Sequence, residues 1–328
     1  MNPALVGKPR AASRKLDIAL IGAPVDLGQN KPGVDMGPAA LRFPDLDRNL
    51  VKSLRSLGHA VEDLLDVDVA HRARLPVPDS RDKHKYLPNI VDASNKLAAI
   101  VHNAASQGRF PLVMGGDHSV AIGSIAGMSS CLRQRNQKLG LIWVDAHADM
   151  NTPEISPSGN VHGMPLACCL GYGPRELTHL LDFGPKVDPK HVALIGIRDI
   201  DHDPDREIDE RKLVHTSGVH AFTMREIDEM GVRPVVAEAI RLASDGTAGF
   251  HVSFDIDFVD PLEAPGVGTP VPGGGTFREA HLIMEMLADS GHMISLDMVE
   301  VNPALDDGNR TAKLAMHLIL SALGKSIL

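Results

Sequence analysis

Aspartate and histidine gather where apolar runs of this 328-residue chain end, and together they are the ligands of divalent cations. The run 111–114 leads into Gly115-Gly116-Asp117-His118-Ser119, and the run 139–144 into Asp145-Ala146-His147-Ala148-Asp149. The run 250–254 leads into Asp255-Ile256-Asp257, and the run 294–299 ends at Glu300. In extended backbone, positions i, i+2 and i+4 share a face, so Asp145, His147 and Asp149 point one way, as do Asp255 and Asp257. With His118 they aim four carboxylates and two imidazoles into one space. Four ionised aspartates so placed would raise one another's pKa, and two divalent cations remove that conflict. Six N/O ligands without a thiolate suit Mn, Mg, Zn, Fe or Co. Two such ions roughly 3.5–4 Å apart can hold a bridging water and acidify it until hydroxide exists at neutral pH, which is the nucleophile a hydrolase needs.

A lone Asp-x-Asp is ordinarily a turn or a cap. Repetition at successive run ends has few structural explanations, because charges avoid strand ends packed in a core. Asp117 alternates away from His118 and reads as a supporting or capping residue, and Asp297 as a structural one.

The elements that must carry these boxes follow from hydrophobic periodicity. Strand-length apolar runs lie at 16–21, 61–65, 111–114, 139–144, 191–197, 250–254 and 292–299, with helical patterns at 87–106, 233–243, 276–289 and 311–323 between them. Strands alternating with helices predict an α/β fold: three α/β/α layers around a mainly parallel, doubly wound sheet. Continuously apolar runs are what a sheet buried on both faces requires. In such a sheet ligands bind at the carboxyl ends of the strands, so boxes distant in sequence meet at one edge. Gly37-Pro38 reads as a helix start, Thr276 with Glu279 as a capping box, and a further helical pattern begins near Pro204.

Composition limits the alternatives. Lys+Arg 33 against Asp+Glu 42 leaves a net charge of −9, which argues against broad nucleic-acid or membrane binding. Aromatics are 3%, so aliphatic residues and methionine must build the core. Cys131, Cys168 and Cys169 make no disulfide framework and point to a reducing cytoplasm. Residues 1–15 carry Lys8, Arg10, Arg14 and Lys15 with no acid, and read as a flexible basic tail before a single domain at 16–328.

On these boxes the sequence resembles the arginase branch of the ureohydrolase family, from Leu16 to about Leu323. Two stretches carry the arginase-specific likeness: Asn151-Thr152-Pro153 through Ser158-Gly159-Asn160-Val161-His162-Gly163, and Asp297-Met298-Val299-Glu300-Val301-Asn302-Pro303. The resemblance implies two Mn²⁺ and hydrolysis of L-arginine to L-ornithine and urea. His118, Asp145, Asp149 and Asp255 would hold one ion and Asp145, His147, Asp255 and Asp257 the other, with Asp145 and Asp255 bridging. Glu300 would orient the guanidinium, supported by Thr269 in Gly268-Thr269-Pro270. Asp149 would hand a proton to the departing amine, and His162 would shuttle protons to solvent. Asn151, Ser156 and Ser158 would donate to the α-carboxylate, and Asp201 would accept from the α-ammonium; the family often has threonine where Ser156 stands. A homo-oligomer, trimer or hexamer, is also implied. An agmatinase or other guanidino-compound hydrolase shares the metal boxes, but the 151–158 loop with Asp201 makes little sense for a substrate lacking an α-amino acid group. A silent arginine- or metal-binding regulator has no need of all six ligands with His162 and Glu300.

Overall fold

Eight apolar segments of this computed structural model, which describes residues 15–45 and 47–325, form the strands of one sheet. They are β1 (Asp17–Ala23), β2 (Ala60–Asp66), β3 (Phe110–Gly115), β4 (Gly140–Val144), β5 (Val192–Ile197), β6 (His220–Thr223), β7 (Phe250–Asp255) and β8 (Met293–Val299). Their order is β2-β1-β3-β8-β7-β4-β5-β6, and every pairing is parallel. The residues expected to form a basic tail lie outside the described residues except for Lys15.

Alternation along each strand feeds two cores. Leu112 and Met114, Ile142 and Val144, and Val252 and Phe254 face one of them. Val113, Leu141, Trp143 and Leu194 face the other. Each fully buried side chain of this size contributes roughly 1.5–3 kcal/mol. The helices are α1 (Gly37–Arg42), α2 (Leu50–Ser56), α3 (Leu87–Ser106), α4 (Val120–Arg133), α5 (Pro165–Leu170), α6 (Arg175–Thr178), α7 (Glu210–Ser217), α8 (Met224–Met230), α9 (Val232–Ser244), α10 (Phe277–Asp289) and α11 (Arg310–Ala322). Residues of α1, α2 and α8 to α11 pack into the first core, and those of α3 to α7 into the second. The result is the three-layer α/β/α arrangement expected from the sequence.

Three local features differ from the reading of the sequence. Strand β6 has four half-buried or exposed residues and pairs only with β5, so it carries no apolar run to betray it. The helix expected near Pro204 begins instead at Glu210, because the Asp209 side chain accepts from Lys212 N at 2.8 Å and caps it there. Helix α4 is buried on almost every side, which erases amphipathic periodicity. Its Gly123 and Gly127 admit α3: a Cβ on either would come within 2.7 Å and 2.6 Å of the carbonyls of Ser94 and Ala98. The capping box of Thr276 and Glu279 forms with both of its hydrogen bonds. No helix among the described residues is long and apolar enough to cross a membrane, and all three cysteines are buried and unpaired.

Candidate active site and metal centre

The four strands whose ends carry the acidic boxes are adjacent, in the order β3-β8-β7-β4. Beyond β3 the chain is drawn against the loop after β1: Gly116 N donates to Ala23 O at 2.7 Å, and a Cβ at Gly116 would lie 1.8 Å from Val25 O. Asp117 turns away from the cluster and accepts from Gly28 N at 2.7 Å and Ser119 N at 3.0 Å. That is the supporting role its alternation foretold.

His118 turns towards the cluster. Its ring stacks on Trp143 at 4.1 Å, and its Nε2 lies 2.8 Å from Ser253 Oγ. Donation from Nε2 to that hydroxyl leaves Nδ1 with a free lone pair. Nδ1 stands 3.0 Å from Asp145, 3.1 Å from Asp149 and 3.2 Å from Asp255. His147 Nδ1 lies 3.1 Å from Asp257 and 3.4 Å from Asp145.

These side chains converge by a route other than extended backbone. Strand β4 stops at Val144, the chain bends through 145–147, and Asp149 adopts a left-handed φ of 51°. Strand β7 stops at Asp255, whose carboxylate accepts from Asp257 N at 2.8 Å and caps a single turn of 3-10 helix, Ile256–Phe258. Asp257 therefore reaches the cluster from a turn. The shared-face argument for 145–149 and for 255–257 is corrected accordingly: strand alternation ends at Val144 and at Asp255, and a bend, a left-handed residue and a capped turn aim the side chains beyond.

Two overlapping triads result, His118–Asp145–Asp255 and Asp145–His147–Asp257, with Asp145 common to both. Asp149 joins the first through His118, while Asp255 belongs to the first triad alone. The electrostatics are those of a site short of positive charge. Burial, then the neighbouring Asp145, pushes Asp149 up to about 6 and also raises Asp257. Burial, followed by Asp257 and Asp145, raises Asp255 well above the carboxylate range. Burial would raise Asp145 too, yet His118 and His147 hold it below that range. Burial would likewise depress both imidazoles, but the carboxylates facing them push them up. His118 Nδ1 and Asp149 Oδ2 are buried without a well-formed hydrogen bond. Orphaned acceptors beside crowded carboxylates fit divalent cations, which would satisfy both.

A cavity opens above this cluster. His118, His147, Asp149, Asp255, His162 and Thr269 line it together with Asn151, Ser156, Ser158, Asp201 and Glu210, and Asp199, also in the lining, stands 3.8 Å from His147. Asp145, Asp257 and Glu300 are buried and do not line it. Glu300 Oε1 accepts from His118 N at 2.9 Å and lies 3.3 Å from His162 Nδ1. The Thr269 hydroxyl donates to Asp257 at 3.2 Å, so its support falls on a candidate metal ligand and not on Glu300.

Among the polar lining, Asn151 Nδ2 donates to Asp201 at 2.9 Å, and Asn151 Oδ1 is buried without a partner. Ser156 and Ser158 accept from Gly159 N and Asn160 N, leaving both hydroxyl protons available to donate. Sequence reasoning missed Glu210, which accepts from Met150 N and Asp201 N at 2.9 Å each. Burial first, then Asp149 and Asp201, pushes its carboxyl up to about 8. An acid opening a helix after an aspartate cap reads as ordinary capping, which hid it. Trp143 Nε1, donating to Asp145 at 2.9 Å, and Ser253 were likewise illegible among apolar strand residues.

An open parallel sheet with two overlapping His/Asp triads at its carboxyl edge defines a hydrolase with a candidate two-metal centre. Residues 16–324 match the family model described as "Arginase family", and the chain belongs to that family. It is 45% identical over 312 residues to the arginase of Bacillus caldovelox, covering 95% of this chain and 99% of that one. The crystal structure of Bacillus subtilis arginase superposes with a TM-score of 0.85 at 44% identity, over 96% of this chain and all of the other. That of Entamoeba histolytica arginase in complex with L-ornithine does so with a TM-score of 0.84 at 30% identity, over 95% of this chain and all of the other.

Proposed function

We propose that this chain is an arginase that hydrolyses L-arginine to L-ornithine and urea with two manganese ions. The observation carrying this reading is that one cavity joins two different ends. The His/Asp cluster meets it through His118, His147, Asp149 and Asp255, and the polar set Asn151, Ser156, Ser158 and Asp201 lines the same cavity. A guanidine with no amino acid head would leave the second set without a partner.

A guanidinium carbon is resonance-stabilised and a poor electrophile. His118, Asp145, Asp149 and Asp255 would hold one ion and Asp145, His147, Asp255 and Asp257 the other; when bound, the pair supplies positive charge that lowers the pKa of water. Ser253 and Trp143 keep His118 and Asp145 aimed. Glu300 orients the guanidinium by charge-assisted hydrogen bonding. Asp149, through the carboxylate oxygen that holds no ion, would take a proton released by the attacking water and deliver it to the departing amine as the C–N bond breaks. His162, with its side chain 17% exposed, passes protons between this interior and solvent. Asn151, Ser156 and Ser158 donate to the α-carboxylate, and Asp201, with Glu210 behind it, accepts from the α-ammonium.

The enzyme works as a homo-oligomer, trimer or hexamer, in the cytoplasm, a reading supported by the family likeness and the three free cysteines. Protein reconstituted with Mn²⁺ is expected to release urea from arginine far faster than from agmatine or 4-guanidinobutyrate. Equal rates across the three would overturn the assignment of substrate.

A further inference from the structure

Glu300 is reached from three directions, and the three contacts are unevenly shared between its oxygens. Oε1 faces His118 N at 2.9 Å and His162 Nδ1 at 3.3 Å. Oε2 accepts from one group, Gln29 Nε2, at 2.8 Å. A carboxylate oxygen has two lone pairs, so Oε1 is filled and one acceptor position is left, on Oε2. Whichever group fixes the rotation of Oε2 decides where that last position faces.

Gln29 is built to do this. It is 3% exposed and lies 271 residues from Glu300 in sequence, on the loop that follows β1. That loop is tied down before the glutamine and at the glutamine itself. Gly28 N donates to Asp117 at 2.7 Å and Gly28 O accepts from His162 N at 3.1 Å. Arg72 holds the Gln29 carbonyl while pairing with Asp26 at 3.0 Å. The amide also packs against Gly268, where a Cβ would stand 2.4 Å from Gln29 Oε1.

We propose that Gln29 is a positioning residue for the guanidinium end of the substrate, its side-chain amide holding Glu300 rotated so that the remaining Oε2 acceptor position meets the guanidinium. This rests on the reading of Glu300 as the guanidinium contact given above. A glutamine that merely filled the loop would, on replacement, disturb every ligand of the cavity alike. A positioning glutamine affects only ligands that carry a guanidinium.

The test uses Mn²⁺-loaded full-length protein and compares Gln29→Met, which keeps the bulk and removes the donor, with Gly268→Ala, which displaces the amide, and with Glu300→Gln. Gln29→Met is expected to lower kcat/KM for arginine about tenfold to a hundredfold, the worth of one hydrogen bond to a charged group. Binding of L-ornithine, which has no guanidinium, should stay within about twofold of the parent by calorimetry. Gly268→Ala should show the same pattern, less strongly. Parent-like kcat/KM in Gln29→Met beside an impaired Glu300→Gln overturns the role of Gln29 alone. Parallel loss of ornithine affinity in both Gln29→Met and Gly268→Ala overturns it in favour of a structural loop. Parent-like turnover in Glu300→Gln removes the reading of Glu300, and the proposal with it.

Discussion

The two ends of the cavity are built differently. The metal end grows from the tips of four adjacent strands, its side chains are nearly all buried, and further hydrogen bonds from strand, bend or turn aim His118, Asp145, Asp255 and Asp257. The far end rests on two loops, 151–163 and 199–210. Its polar groups bond mainly to each other and to local backbone, as Asn151 does to Asp201 and Ser156 to Gly159. Strand tips fixed by a shared sheet suit chemistry that must keep its geometry, whereas loops can be exchanged without disturbing the sheet. On the reading proposed above, reaction type would belong to one end and choice of substrate to the other.

That division is open to attack at each end. The largest effect is expected from Asp145→Ala, which removes the residue common to both triads. Both ions should weaken together and urea release should fall by at least about a hundredfold. Elemental analysis showing unchanged occupancy would deny Asp145 its bridging position.

Asp201→Ala strikes the opposite end. KM for arginine should rise by about ten- to thirtyfold, while bound metal and the weak turnover of agmatine stay at parental levels. A loss of metal in this variant would show that the two ends are not separable.

The smallest effect sharpens the boundary between them, at Glu210. Its carboxyl is raised from 4.5 to about 8, so between those values the folded chain binds a proton that the unfolded chain does not. Stability of metal-free protein from this source is therefore whole below pH 4.5 and lost as pH rises towards 8. Glu210→Gln removes the titrating group, and its urea midpoint should decline less than the parent's between pH 5 and 8. Parallel curves would place the titration elsewhere.

Much of this molecule is legible from local pattern. Apolar runs located seven of the eight strands, because a doubly covered sheet demands uninterrupted hydrophobic residues, and β6 escaped because its four residues, none fully buried, carry no such run. The residues drawn together at the strand tips were legible as types, since a charge at the end of a buried strand has few other reasons to exist.

Their aim was not. Asp257 comes round on a turn capped by Asp255, and Asp149 sits at a left-handed φ; neither follows from alternation, because turn geometry is set by hydrogen bonds formed after the strand ends. Glu210 and Gln29 were invisible for a related reason: each looks ordinary beside its sequence neighbours. The sequence determined which elements form and which side chains are available for chemistry, since periodicity and residue type are local properties. Only the tertiary structure decided which of those side chains meet, since the strand order β3-β8-β7-β4 brings together segments that the chain itself keeps far apart.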